Sequence, residues 1–158
     1  INGLYYSMNA IHWILAHSGN FIDIAADNRT GVSLASDGIS IAKSTDGGWS
    51  WRESNCGNCV ADCSIRYLGF INELGTFYQI SNSFPQRIYW SDDFGLTWGV
   101  LSFPFRVPIR SLAYGAGSII ATTEGYTTNT KRESKVIPNS QGIISIPLET
   151  ISIIPCAQ

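Results

Sequence analysis

Three basic side chains stand at the same place in an internal repeat of this chain and could together hold an anion. His12, Arg66 and Arg110 each follow an isoleucine at the start of an apolar, strand-like segment. Arginine grips a carboxylate or sulfate through parallel N–H donors, so basic groups on neighbouring strands would suit an anionic ligand. The alternative is that they pair with carboxylates of the protein or face solvent, because structural ion pairs are common.

The carboxylates and nucleophiles of the sequence do not form a recognisable catalytic arrangement. A glycosidase of the usual kind needs two carboxylates across a cleft. The candidates here have no pairing that the sequence defines: Asp23, Asp27, Asp37, Asp62, Glu73 and Glu124. The two histidines, His12 and His17, accompany no serine or cysteine in a nucleophile-elbow context, so acyl transfer is unsupported. We expect no catalytic residue and no cofactor.

Two further aspartates lie in a repeated motif that predicts a hairpin turn. Residues 44–51 and 91–98 both read S-x-D-x-G-x-[ST]-W and begin 47 residues apart. In such a turn the aspartate accepts backbone N–H groups, the glycine supplies a positive φ, and the tryptophan covers the turn. The predicted structural residues are Ser44, Asp46, Gly48, Trp51, Ser91, Asp93, Gly95 and Trp98.

This motif is the Asp-box, or BNR repeat, and the chain resembles the Asp-box family of β-propellers, which includes sialidases and many non-catalytic surface proteins. The resemblance implies an all-β fold of antiparallel four-stranded blades, with the Asp-box hairpins on the outer rim and away from the ligand site. In a propeller the inner strands line the central channel, where His12, Arg66 and Arg110 would then lie.

Apolar segments repeat three times and predict one all-β domain of about three blades. Blade 1 is expected at about residues 9–55, blade 2 at about 64–103, and blade 3 with the C-terminal strands at about 105–158. The paired inner segments are 11–16 with 19–24, 65–70 with 75–80, and 109–114 with 117–122. Third and fourth strands are expected at 39–44 and 49–53, and at 87–91 and 97–103.

The copies differ in their connections. Residues 27–38 are expected to be an insertion in blade 1 that ends in a hairpin signal, Ser36-Asp37-Gly38. Residues 125–134 replace the third motif and predict an exposed loop. Further short strands are expected at 4–7, 143–146 and 151–154.

Three blades are too few to close a propeller, which typically has four to eight. An open arc exposes apolar faces and strand edges. The chain could form a homo-oligomer or larger assembly, be a piece of a longer propeller, or stack as an open sandwich capped by the terminal strands. We favour an assembly, because the isoleucine-rich tail resembles a strand donated to a neighbouring sheet.

A second resemblance concerns Phe105-Arg106-Val107-Pro108 and the segment that follows it. It is similar to the [YF]-R-I-P motif of sialidases, which precedes a strand, a glycine turn and a second strand ending near a glutamate. The resemblance implies that Arg106 would bind the sialic-acid carboxylate, with Glu124 nearby and Tyr126 where an arginine is expected. The alternative is that Arg106 is a surface residue before an ordinary inner strand.

The four cysteines are Cys56, Cys59, Cys63 and Cys156. Two disulfides, one tying the tail to the C-x2-C-x3-C loop, would suit an oxidising compartment. Free thiols or a metal site stay open, although the second short knuckle of a typical zinc site is missing. No metal is our expectation.

The composition excludes two classes of partner. The ten lysines and arginines are scattered and the net charge is −2, which disfavours nucleic-acid binding. No apolar run is long enough for a membrane span. Sugar rings are possible ligands, because aromatic side chains could stack on them or else pack between strands: Tyr5, Tyr6, Trp13, Trp90, Tyr114 and Tyr126.

The function expected from these features is a non-catalytic surface or virion structural protein. It would be extracellular, at a cell surface or in a virion, and act as an oligomeric assembly or carbohydrate-recognition module. The alternative function is a divergent or partial sialidase-like glycoside hydrolase.

Overall fold

The chain forms antiparallel β-sheets throughout residues 2–54, 64–82, 86–101, 108–123, 143–147 and 153–155, the part that a computed structural model describes. None of these residues is helical, so the all-β prediction is confirmed. The strands are β1 (Gly3–Tyr6), β2 (Ile14–Ser18), β3 (Asp23–Asp27), β4 (Val32–Ser36), β5 (Ile41–Ser44), β6 (Arg52–Ser54), β7 (Ile65–Ile71), β8 (Thr76–Ser81), β9 (Ile88–Ser91), β10 (Gly99–Leu101), β11 (Ile109–Gly115), β12 (Ser118–Thr123), β13 (Ile143–Pro147) and β14 (Ile153–Pro155).

These strands make four sheets. The hairpin layer pairs β1 with β2, and the first sheet has the order β3-β4-β5-β6. The second sheet has the order β14-β10-β9-β8-β7, and the third sheet β11-β12-β13. Strands that are consecutive in the chain pair in the order β3 to β6, β7 to β10 and β11 to β12, whereas β13 and β14 join the third and second sheets from the C-terminal tail.

The isoleucine-rich tail pairs with sheets of its own chain, so the expectation that it is donated to another copy or a partner was wrong. β13 lies beside β12, with Ile146 opposite Ile119, and β14 lies beside β10, with Ile154 opposite Val100. The prediction of two strands in the tail is therefore confirmed, with the second strand starting two residues later than expected. Both strands cover an edge that would otherwise present unpaired backbone groups.

The first sheet corrects the predicted repeat. Its first strand is β3, whereas residues 11–16, predicted to fill that place, contribute β2 to the hairpin layer. Residues 27–38, predicted to be an insertion, hold β4 and its two turns. All five residues of β4 are buried, including Ser33 and Ser36. A strand covered on both faces lacks the alternation of apolar and polar residues that identifies a half-buried strand. With two serines in it as well, the sequence of β4 resembles a polar loop.

The sheets stack face to face around two apolar clusters. The cluster between the first and second sheets contains Ala25, Val32, Leu34, Ile41, Ile65, Leu68, Phe77, Tyr89 and Trp98. The cluster between the second and third sheets contains Ile71, Tyr78, Ile80, Ile88, Trp90, Leu101, Ile109, Leu112, Ile119 and Ala121. Each large side chain buried there stabilises the fold by about 1.5–3 kcal/mol.

The second sheet is the centre of this stack. Every residue of β8 and β9 is buried, since a sheet covers each of their faces. The first strands of the three larger sheets are neighbours: β7 contacts β3 on one side and β11 on the other. The described sheets are thus successive layers, and in this part of the chain they do not close into a barrel or ring.

Candidate functional site

The first repeated motif forms a turn between β5 and β6 in which Asp46 is the central acceptor. Its Oδ1 accepts hydrogen bonds from Ser44 Oγ at 2.8 Å and the Ser50 N–H at 2.9 Å, and its Oδ2 accepts from Ser50 Oγ at 2.6 Å. Ser44 Oγ accepts the Gly48 N–H at 2.9 Å, and the Trp51 indole donates to the Gly48 carbonyl at 3.0 Å. We call residues 44–51 the first Asp turn.

The second Asp turn, residues 91–98, repeats this geometry between β9 and β10. Ser91 Oγ donates to Asp93 Oδ1 at 2.9 Å and accepts the Gly95 N–H at 2.8 Å. The Thr97 N–H and hydroxyl donate to the Asp93 carboxylate at 2.8 and 2.5 Å. Trp98 is buried in the apolar cluster between the first and second sheets, so this turn also contributes to the core.

These hydrogen bonds make both aspartates poor acids or bases at neutral pH. Bonds from the Ser50 side chain and backbone and from Ser44 lower the pKa of Asp46 to about 2. Burial raises the pKa of Asp93, but the donors of Thr97 and Ser91 outweigh it, and the pKa lies below its usual value. A carboxylate held ionised by its own turn serves as a fixed hydrogen-bond acceptor rather than as a proton donor.

Two more aspartates brace turns of the first sheet. Asp37, in the predicted hairpin signal between β4 and β5, accepts the N–H groups of Ile39 and Ser40 at 2.8 and 2.6 Å. Asp27 is 1% exposed and accepts the Arg29 N–H and Nε at 3.0 and 3.1 Å. The structural role of Asp27 was missed, although its hydrogen bond from Thr30 at 2.8 Å follows a common local pattern.

The arginines of the predicted basic set occupy equivalent positions. In β7 the pairing shifts between Ile65 and Tyr67, so that Arg66 is the extra residue of a bulge. In β11 it shifts between Ile109 and Ser111, so that Arg110 is the extra residue. Bulges redirect side chains and are common beside functional sites. Arg66 is half-buried, with its guanidinium carbon 5.3 Å from the centre of the Tyr67 ring, and Arg110 is exposed.

His12 does not belong to this set. It precedes β2 in the hairpin layer, outside the three neighbouring first strands, and is exposed. The predicted equivalence with Arg66 and Arg110 was wrong, because it rested on assigning residues 11–16 to the first sheet. β3, which takes that place, offers Asp23 and Asp27 rather than a basic residue.

Several predicted residues lie outside the described part of the chain. They are Arg106, Glu124 and Tyr126 of the sialidase-like segment, the cysteines Cys56, Cys59, Cys63 and Cys156, and Asp62. Their expected roles stay predictions.

The aromatic candidates separate by burial. Trp90 is 8% exposed and belongs to the apolar cluster between the second and third sheets, and Tyr114 packs against that cluster. Tyr6 stacks on Trp49, with ring centres 4.7 Å apart. Tyr5 and Trp13 are 45% and 59% exposed, and both lie in the hairpin layer or its connection. Ligand contact is therefore most accessible at the N-terminal end of the stack.

That end also exposes much apolar surface. Four large side chains of the hairpin layer and its connection are more than half exposed: Met8, Ile11, Trp13 and Ile14. Exposed apolar patches mark interaction sites in soluble proteins, and these four side chains, all between residues 8 and 14, are candidates for one. We call these four residues the hairpin surface.

In comparisons with known proteins, no protein-family model and no curated protein matches the chain. The fold and the two Asp turns are therefore the main evidence on its function. In the described ranges, no group of three or more histidine, cysteine, aspartate or glutamate side chains could hold a metal ion. Nor does any helix in those ranges have the length and apolar character to cross a membrane.

Proposed function

We propose that this chain is a non-catalytic structural and binding module of the Asp-box β-propeller type, which acts in an assembly at a cell or virion surface. The observation that carries the proposal is that Asp46 and Asp93 serve as hydrogen-bond acceptors within their own turns. Each carboxylate of the repeated motif is engaged by three or more donors of its own turn, and each stabilises a hairpin at the same place in successive sheets.

The order of the sheets supports a propeller-type architecture. The first and second sheets each begin with a strand that neighbours the first strand of the next sheet, and each carries an Asp turn between its third and fourth strands. That is the arrangement expected of blades around an axis. In this proposal, further blades, from other copies of the chain or from a partner, complete the ring.

The hairpin surface supports assembly as the main task. A blade packs its apolar face on the next blade, and here Met8, Ile11 and Ile14 are 82%, 75% and 60% exposed. Their burial against a second copy would add the hydrophobic stabilisation that each internal sheet already receives.

Light scattering on the purified chain tests assembly directly. The expected result is a mass that is a multiple of 17.3 kDa, lowered by Ile11→Lys, which places a charge in the hairpin surface. The matched control is Leu96→Lys, in which an equally exposed leucine of the second Asp turn is replaced (69% exposed). A monomer at all concentrations, or dissociation by both variants alike, would contradict assembly from copies of this chain through the hairpin surface and leave only a different partner to complete the ring.

The second candidate is a divergent sialidase-like glycoside hydrolase. It is favoured by Arg66 and Arg110, which stand at equivalent bulges of neighbouring strands, as residues that bind one carboxylate would. The test is turnover of a fluorogenic sialoside. Turnover by the wild-type chain that Arg106→Ala abolishes and Arg110→Ala weakens would establish this activity and contradict the non-catalytic proposal. We expect no turnover above the buffer blank.

A further inference from the structure

An uncharged pocket lies at the hairpin layer, and neither bulge arginine is among its lining residues. It has a volume of about 400 Å³ and opens widely to solvent. Its walls come from the start of β1 and from the segment that connects β2 to β3, with Asn2, Tyr5, Asn20 and Phe21 among the lining residues. A volume of this size lies within the range of small-ligand sites.

Hydrogen bonds join the two walls. The Gly19 N–H donates to the Asn2 carbonyl at 3.1 Å, and Asn2 Nδ2 donates to Asn20 Oδ1 at 2.9 Å. The side-chain bond uses one polar atom of each exposed amide, so Asn2 Oδ1 and Asn20 Nδ2 are the atoms that a ligand could reach. The pocket thus presents one acceptor and one donor group on two segments that are hydrogen-bonded to each other.

Two of the glycines that line the pocket are closely packed. A methyl group at Gly19 would stand 2.7 Å from the Phe21 ring, and one at Gly3 would clash with the His17 carbonyl oxygen and stand 2.5 Å from the Leu15 side chain. The Phe21 ring in turn contacts the His17 ring, with 5.6 Å between their centres. The absence of a side chain therefore lets Phe21 lie against Gly19 and lets β1 approach the β2 backbone at Gly3.

The chemistry of the lining selects a class of ligand. None of the described lining residues carries a charged side chain at neutral pH, whereas a carboxylate, sulfate or phosphate ligand requires arginine, lysine or a cluster of N–H donors. The lining instead combines amides, which both donate and accept, with the rings of Tyr5 and Phe21. Sugar rings have the matching surface, since their hydroxyls donate and accept while their C–H faces stack on aromatic rings.

We propose that this pocket binds a neutral pyranose, with Tyr5 as the stacking platform and with Asn2 and Asn20 hydrogen-bonded to adjacent ring hydroxyls. The inference rests on the binding role proposed above and specifies the ligand as an uncharged sugar rather than a sialic acid. Tyr5 is 45% exposed, so it is accessible to a ligand.

Calorimetry and saturation-transfer NMR test this with the full chain and four probes. The neutral probes are the methyl glycosides of galactose, glucose and N-acetylglucosamine, and the acidic probe is N-acetylneuraminic acid. We expect saturable binding of at least one neutral probe, with a Kd on the order of 1 mM for so open a site, and binding of the acidic probe at least tenfold weaker.

Variants locate the binding. Tyr5→Ala and Asn20→Ala should each weaken it tenfold or more, whereas Asn72→Ala, at an exposed turn residue of the second sheet, should leave it unchanged. Circular dichroism guards against a folding defect, since Tyr5→Ala and Asn20→Ala should both keep the sheet content of the wild-type chain.

Three outcomes would overturn the inference: no saturable binding of any neutral probe, equal losses in Asn20→Ala and Asn72→Ala, or tighter binding of the acidic probe. The outcome is separable from that of the proposed function. The oligomer mass and the absence of sialoside turnover are measured on the same samples, and neither depends on the pocket. A monomer that binds a neutral sugar would refute assembly from copies of this chain and keep the pocket.

Discussion

The Asp23 carboxylate in β3 accepts a hydrogen bond at 2.8 Å from the backbone N–H of Leu68 in β7, across the boundary between the first and second sheets. The next boundary has a bond at the equivalent residue, since the Tyr78 hydroxyl donates to the Leu112 carbonyl at 3.1 Å. Leu68 and Leu112 both stand two residues after the bulge of their strand. Different side chains therefore fasten the same strand position to the preceding sheet.

Asp23→Ala should lower the free energy of unfolding by about 1–2 kcal/mol, because the partly buried Leu68 N–H would lose a charged acceptor. Asp23→Asn should cost less, since its amide oxygen can accept the same bond. Urea unfolding followed by tryptophan fluorescence measures both. Equal losses in the two variants would show that the Leu68 bond does not fasten the sheets.

The two Asp turns should differ in their contribution to stability. Asp93→Ala should destabilise the fold by about 1–3 kcal/mol, because it releases the Thr97 N–H and loosens a turn that positions the buried Trp98. Asp46→Ala should cost less, because Asp46 is itself exposed and the tryptophan of its turn, Trp51, is only partly buried. The control is Asp92→Ala, an exposed aspartate beside Asp93, which should unfold at the wild-type urea concentration. A larger loss for Asp46→Ala than for Asp93→Ala would contradict this ranking.

Local chemistry explains which parts of this structure could be predicted. The hydrogen bonds of both Asp turns join residues at most four apart, so the motif alone specifies them. The location of β3 and β4 could not be read in the same way. The place of β3 in the stack depends on a contact distant in the chain, since Asp23 bonds to Leu68 across the boundary with the second sheet. Buried serines removed the local hydrophobic pattern of β4.

The candidate site divides along the same line. The equivalence of Arg66 and Arg110 follows from similar apolar segments and was predictable, whereas that of His12 depended on the misplaced strand. The pocket of Asn2, Tyr5 and Asn20 forms between β1 and the approach to β3. The spacing of these residues in the sequence does not indicate that they lie close together. They are brought together by the pairing of β1 with β2, in which Gly3 lies opposite Ser18.

Acid should destabilise the fold through the turn aspartates. The pKa of Asp46 is lowered from 3.8 to about 2, and those of Asp37 and Asp93 also lie below 3.8 in the folded chain. A depressed folded pKa gives stability that is fully present above the unfolded pKa and is lost as pH falls through the folded one. The free energy of unfolding should therefore be flat from pH 7 to about 5 and fall between about pH 4 and 2. Asp46→Asn should flatten this slope, measured by thermal unfolding at each pH, and an unchanged slope would contradict the assignment.

Gly95 and Gly47 form a matched pair that separates backbone strain from packing. Both have a positive φ, +77° and +76°, so an alanine at either position pays about 1–2 kcal/mol for a left-handed conformation. A methyl group at Gly95 would also stand 2.9 Å from the Leu34 side chain, which is fully buried, whereas nothing lies within 4 Å of one at Gly47. Gly95→Ala should thus lower the urea midpoint more than Gly47→Ala. In a Leu34→Ala background the two glycine substitutions should lower the midpoint equally, since the smaller side chain at position 34 makes room for the methyl group. If the two glycine variants unfold at the same midpoint, the second Asp turn does not pack on the first sheet as tightly as this contact requires.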